Sequence, residues 1–184
     1  SDVQVDSGPV AAPTLPAPWV SADLGSPARP GSASATAGTF TVAGGGVDIW
    51  GTSDQFRFVY QPLQGDVEVI ARVGSLQYAD PWSKAGVMIR ETLTGGSPQA
   101  FMMVSGTQGW GFQRRTATGG SSYHLAGPTG VAPGWVRLVR EGDLFSAYRS
   151  TDGVAWSLIG TDTISMAATV YVGLAVTSHN TSAT

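Results

Sequence analysis

Gln55-Phe-Arg-Phe-Val-Tyr60, Val67-Glu-Val-Ile-Ala-Arg-Val73 and Lys84-Ala-Gly-Val-Met-Ile-Arg90 follow one another with only short connections between them. In the first, Phe56, Phe58 and Tyr60 alternate with Gln55, Arg57 and Val59. In the second, Val67, Val69, Ala71 and Val73 alternate with Asp66, Glu68, Ile70 and Arg72. Side chains that recur every second residue line one face of an extended strand, so each segment predicts a strand. Residues 62–66 supply a turn between the first two, and a loop carrying Tyr78, Asp80, Pro81 and Trp82 leads into the third. A hairpin feeding an aromatic loop predicts an antiparallel sheet with a recognition edge.

Outward from this block the same grammar continues. Further strands are predicted at residues 38–42, 100–105, 110–116, 135–140, 144–150, 155–160 and 170–177. Turn signals separate nearly all of them, at Gly95-Gly96, Gly119-Gly120, Pro133-Gly134, Glu141-Gly-Asp143 and Asp152-Gly153. About ten short strands at this spacing predict an all-β, two-sheet antiparallel jelly-roll sandwich. Composition agrees: 25 glycines and 11 prolines in 184 residues suit many tight turns, and charged residues make up only 12%. At this length a single buried core is expected.

The formal charge of −3 offers no basic face for nucleic acid, and no apolar run reaches the roughly 18 to 20 residues that cross a bilayer, so neither partner is expected. The absence of cysteine rules out disulfides and thiolate metal sites while leaving export open. Lys84 is the only lysine among ten basic residues, a make-up at home on exported bacterial proteins, and the chain opens at Ser1 without an initiator methionine, as a processed product or, the favoured expectation, a piece of something longer would.

Several stretches carry a family likeness. Val47-Asp-Ile-Trp50, Phe56-Arg-Phe-Val-Tyr-Gln-Pro-Leu63, Gly65-Asp-Val-Glu68, Trp82-Ser-Lys-Ala-Gly-Val-Met-Ile-Arg-Glu91, Phe112-Gln-Arg-Arg115, Trp135-Val-Arg-Leu138 and Ser150-Thr-Asp-Gly-Val-Ala-Trp156 resemble bacterial concanavalin A-like (laminin-G/lectin-like) β-sandwich modules, in particular those of the DUF1349 type. The likeness spans residues 19–180. It implies an extracellular or cell-surface module attached to a larger secreted protein, often beside glycan-degrading domains or in tandem copies, and it does not by itself name a ligand.

The family pattern also departs at one point. Such modules run on past a segment like Ser178-His-Asn180 into a final strand that this chain lacks, whereas Ser1, Asp2, Val3, Gln4 and Val5 look like the back half of such a strand. The expected organisation is therefore residues 1–18 as a β-like segment with a Pro/Ala-rich linker, and residues 19–184 as a sandwich short of its last strand. The vacant slot would be filled by Ser1 to Val5 of the same chain or of a neighbouring copy, and exchange between copies would build a fibre.

Chemistry narrows the function. A glycosidase needs two carboxylates about 5 to 10 Å apart. Asp66 and Glu68 share a face, yet the line of three acids usual for glycosidases of this fold is absent, and a solvated edge pair explains them. His124 and His179 have no partner at metal spacing. A non-catalytic module is expected. Asp48, Asp54 and Asp80 in Gly/Ser/Thr-rich loops are candidate ligands of a structural calcium ion, the alternative being turn caps that accept backbone N–H bonds.

Binding of a polysaccharide or cell-surface glycan needs flat apolar rings and planar polar groups. The candidates are Tyr78 and Trp82 in the loop before Lys84, Trp110 between glycines, the Tyr123-His124 pair beyond Gly119-Gly120, and Gln113, Arg114 and Arg115 on the strand between. Trp50, Trp135 and Trp156 stand at strand starts and read as core. Arg57, Arg72, Arg90 and Arg137 fall in different strands and would form a row on one sheet face, either paired with Glu68, Glu91 and neighbouring carboxylates or open to an acidic glycan.

Overall fold

The computed structural model describes residues 14–184, so the expected assembly segment Ser1 to Val5 lies outside the described residues. Within them the chain forms thirteen strands and no helix: β1 (Val20–Leu24), β2 (Ser32–Thr36), β3 (Thr39–Ala43), β4 (Phe56–Gln64), β5 (Val67–Val73), β6 (Lys84–Arg90), β7 (Gln99–Ser105), β8 (Trp110–Arg115), β9 (Ser122–Ala126), β10 (Gly134–Glu141), β11 (Leu144–Ser150), β12 (Ser157–Thr163) and β13 (Thr169–Thr177). A seven-stranded sheet runs β1-β4-β13-β6-β7-β8-β9, a four-stranded sheet runs β12-β11-β10-β5, and β2 pairs with β3 alone. Every pairing is antiparallel. The expected jelly-roll sandwich is the observed architecture.

Two differences from the sequence reading have physical causes. The predicted turn at residues 62–66 is shorter, because β4 continues through Pro62 to Gln64 and turns only at Gly65, whose φ of 75° suits glycine. Pro62 is tolerated there because β1 ends opposite Tyr60, so its missing N–H faces the side of β4 where no strand remains. The last predicted hairpin strand begins at Ser157 rather than residue 155, since the Asp152 carboxylate accepts N–H bonds from Val154 and Ala155 (2.8 and 2.9 Å) and holds them in the turn.

Between the sheets lie Val87, Ile89, Met102, Val104, Phe112, Val136, Leu138 and Phe145, all fully buried. A second cluster occupies the far side of the seven-stranded sheet, where Phe56, Phe58, Met88, Phe101 and Met103 meet Ile49. Strands β6 and β7 are thus buried on both faces, which is why their sequences are nearly continuous apolar runs rather than alternating ones. Residues 44–55 form the cover. Their backbone is pinned by Asp54 N to Gly95 O (2.9 Å), Gln55 N to Asp48 O (2.7 Å) and a bridge between Gly46 and Asn180.

Candidate functional site

The cover is clamped by one carboxylate. Asp54, with no exposure, accepts from Arg115 Nη2 at 2.6 Å, Arg115 Nη1 at 2.8 Å and Arg90 Nη1 at 3.3 Å. Arg115 donates further to the carbonyls of Gly51, Gly95, Ser97 and Gly120, tying three loops to β8. This corrects two expectations. Arg115 is buried and fully engaged, so it cannot meet a sugar, and both oxygens of Asp54 are held by guanidinium groups, which leaves them unavailable to a cation.

Trp50 leaves this clamped loop with 40% of its surface exposed, against the expectation that it belongs to the core. Its ring centroid lies 5.9 Å from the Lys84 ammonium, and the Trp82 centroid lies 5.7 Å from the same nitrogen, so one cation is flanked by two indoles. Lys84 is itself buried, and its ammonium donates to Asp48 Oδ1 and to the Ile49 carbonyl at 3.3 Å. Burial lowers its pKa, while Asp48 opposes the shift.

The Trp82 loop is fixed as firmly. Ser83 Oγ accepts from Ala79 N and Asp80 N (3.2 and 3.1 Å) and donates to the Ser178 carbonyl at 2.6 Å, while Trp82 N donates to Asp80 Oδ1 at 2.7 Å. His179 joins the two loops, with Nδ1 3.1 Å from Asp80 Oδ1 and Nε2 3.3 Å from Asp48 Oδ2. Asp48 and Asp80 therefore face each other across an imidazole. Among the described residues no group of three or more His, Cys, Asp or Glu is placed to hold a metal, and Asp48, Asp54 and Asp80 do not converge as the ligand set expected of them.

His124 on β9 meets Trp82 edge-on, with ring centroids 5.8 Å apart. Its ring lies over Gly111, where a Cβ would come within 2.2 Å of Cε1, so the glycine makes room for the imidazole. Burial holds the His124 pKa below its ordinary value, and the charges of Lys84 and Arg114 push the same way. Gln113 stands opposite His124 in the β8–β9 register. The buried Gln113 Oε1 and His124 Nδ1 have no protein partner among the described residues. Two indoles, one cation and two unpaired acceptors or donors thus gather on the loop side of the seven-stranded sheet. Of the sequence candidates, Trp82, Gln113 and His124 are brought together here. Trp50 and Lys84 were not expected at a site, because nothing local marks residues that meet only across loops.

The remaining candidates lie elsewhere. Tyr78 is 53% exposed and lines a hollow of about 240 Å³ with Leu76, Gly106 and Val131 at one end of the sandwich. Trp110 is a correction: it is 1% exposed and packs between the sheets against Gly134 and Arg149, so it offers no face to a ligand. Tyr123 is 54% exposed on edge strand β9, beneath the Arg114 guanidinium. The arginine row is also absent. Arg57 pairs with Asp23 at 3.3 Å, Arg90 joins Asp54, and only Arg72 and Arg137 share a face, that of the four-stranded sheet. Asp66 accepts from Gly142 N at 2.7 Å and Glu68 pairs with Arg137, so each of the two acids has its own partner.

Solved structures provide the comparison. Over 86% of this chain and 84% of the other, a functionally unknown protein from Saccharomyces cerevisiae superimposes with a TM-score of 0.64 at 18% identity. The carbohydrate binding module CBM66 from Bacillus subtilis superimposes with a TM-score of 0.54 at 14% identity, over 86% and 93% of the two chains. The chain has a lectin-like β-sandwich fold. No family model and no curated protein matches its sequence, and the comparisons do not confirm the DUF1349-type resemblance.

Proposed function

We propose that this chain is a non-catalytic carbohydrate-binding module of a larger extracellular or surface-attached bacterial protein, and that Trp50 and Trp82 form its sugar platform. The observation that carries this reading is the pair of indoles flanking Lys84 beside the unpaired Gln113 Oε1 and His124 Nδ1. Indole faces offer rigid apolar area for stacking on a pyranose ring at little entropic cost. Unpaired buried polar atoms are costly unless something hydrogen-bonds them, and sugar hydroxyls both donate and accept. The platform sits on a loop clamped through Asp54 and Arg115, so it is preorganised and loses little freedom on binding. CBM66, which shares the fold, is a carbohydrate-binding module, and this is in keeping with the proposal. A binding role without bond-breaking is favoured because Asp66 and Glu68 are each engaged on the surface rather than poised together.

The test is retention on insoluble polysaccharides. The parent should be held by at least one of them, and Trp50→Ala and Trp82→Ala should each wash through while Trp50→Ala keeps the parent melting temperature. Retention of both variants at the parent level would remove the platform from the account.

A further inference from the structure

Beyond the Trp50–Trp82 platform, one aromatic ring stands open over a concavity. Trp110 is buried, and Tyr123 lies beneath the Arg114 guanidinium. Trp135 and Trp156, expected in the core, are instead half-buried nearer the surface, Trp135 packed beside Gly153 and Trp156 under the Arg137 guanidinium. Tyr78 differs from all of these. Its ring rests on Gly106, where a Cβ would come within 2.7 Å of Tyr78 Cγ and 2.9 Å of Cδ2, so the missing side chain lets the ring lie against the β7–β8 turn. The ring is exposed on its other side, and it walls the hollow of about 240 Å³ with Ser75, Leu76, Val131 and Ala132. None of the residues lining that hollow carries a charge.

The wall is firmly backed. Gly106 N donates to the Ser83 carbonyl at 2.9 Å and Thr107 N to that of Pro81 at 3.1 Å, which ties the loop carrying Tyr78 to the β7–β8 turn. The same loop carries Trp82 four residues on, so the two Cα atoms are at most about 14 Å apart. Between them Ala79 and Pro81 are exposed and small, and the Asp80 carboxylate is turned back toward Trp82 N and His179. The hollow is smaller than the roughly 300 to 1,000 Å³ of a complete ligand pocket, so it suits one ring of a larger ligand.

We infer that the Tyr78 hollow is an outlying subsite for carbohydrate: a neutral glycan chain stacked on Trp50 and Trp82 sets a further sugar ring against Tyr78, beside Leu76 and Val131. This rests on the platform reading and adds to it the class of ligand, an uncharged polysaccharide held along several of its residues. Tyr78 offers an apolar face for the ring and a hydroxyl that both donates and accepts. An uncharged lining gives no partner to a uronate or an amino sugar, whose lost hydration would go uncompensated there.

Isothermal titration calorimetry with cello-, xylo-, manno- and malto-oligosaccharides, from disaccharide to hexasaccharide, tests this. The parent should bind at least one series, with affinity rising about tenfold from the shortest member to the longest, as one added stacking contact would give. Tyr78→Ala should abolish most of that rise and Tyr78→Phe should keep most of it. Val131→Arg, which fills the hollow without touching the Tyr78 ring's support, should act as Tyr78→Ala does. Tyr78 and Val131 are both exposed, so the variants should melt as the parent does. The inference is overturned if a series binds without any rise with length, or if Tyr78→Ala or Val131→Arg keeps the rise. Binding without a rise removes the subsite alone, whereas binding of no series removes the platform and the subsite together.

Discussion

Asp54 balances two guanidinium groups with a single carboxylate, and none of the three has any exposure. Replacing it with Asn removes the charge and leaves two buried cations facing each other, so Asp54→Asn should cost roughly 3 to 5 kcal/mol. Urea denaturation measures this, and a midpoint equal to the parent's would contradict the clamp. His124 gives a pH dependence whose sign follows from burial. Its folded pKa lies below 6.5, so the unfolded chain binds the proton more readily. Stability is intact above 6.5 and declines as pH falls from there toward the lowered folded value. The urea midpoint of the parent should therefore drop more than that of His124→Gln between about pH 7 and 5, and parallel profiles would refute it. Residue roles were the least legible part of the sequence. The glycines beside Trp110 suggested an exposed ring open to a sugar, yet Gly111 serves the His124 ring while Trp110 fills the core. Arg115 looked like a sugar contact because its buried partner, Asp54, lies 61 positions away.

Among the elements, β13 shows how closely the seven-stranded sheet is packed. A Cβ on Gly173 would lie 1.9 Å from the Val59 carbonyl oxygen on β4, where backbone and not a flexible side chain must give way. Gly173→Ala should cost about 3 kcal/mol or prevent folding, and a thermal melt at the parent temperature would contradict the register. The β11–β12 turn offers a second reading. Bonds from Val154 N, Ala155 N and Ser150 Oγ hold the Asp152 carboxyl down at about 2, below its ordinary 3.8. Its support of the turn is complete above 3.8 and is lost as pH falls through about 2. An NMR titration should place its midpoint near 2, and a midpoint at the ordinary value would show the turn to be open in solution. Strand existence was legible wherever one face or both were apolar, as in β4 to β7. It was missed in Val-Ser-Ala-Asp-Leu of β1, Ser-Ala-Ser-Ala-Thr of β2 and Ser-Tyr-His-Leu-Ala of β9, whose small or polar Ser, Ala and Asp residues give weak β-propensity, and which sit at sheet edges or in a separate hairpin and take their conformation from the neighbouring strand.

For the whole molecule, turn spacing and period-two runs sufficed to predict a two-layer sandwich, because short strands joined by glycine turns have few other ways to bury an apolar face. They could not say which sheet would be covered, since the cover is an irregular loop whose apolar anchor is the single residue Ile49. That loop sets the Trp50–Trp82 platform on the covered side of the seven-stranded sheet. The claim on which the account turns is that the paired indoles recognise carbohydrate. A glycan array probed with the parent and with a Trp50→Ala/Trp82→Ala double variant measures it directly. The account predicts that the parent binds a defined set of glycans and that the double variant loses those recognised through the platform. A parent that binds no glycan, or a double variant with an unchanged profile, would contradict it.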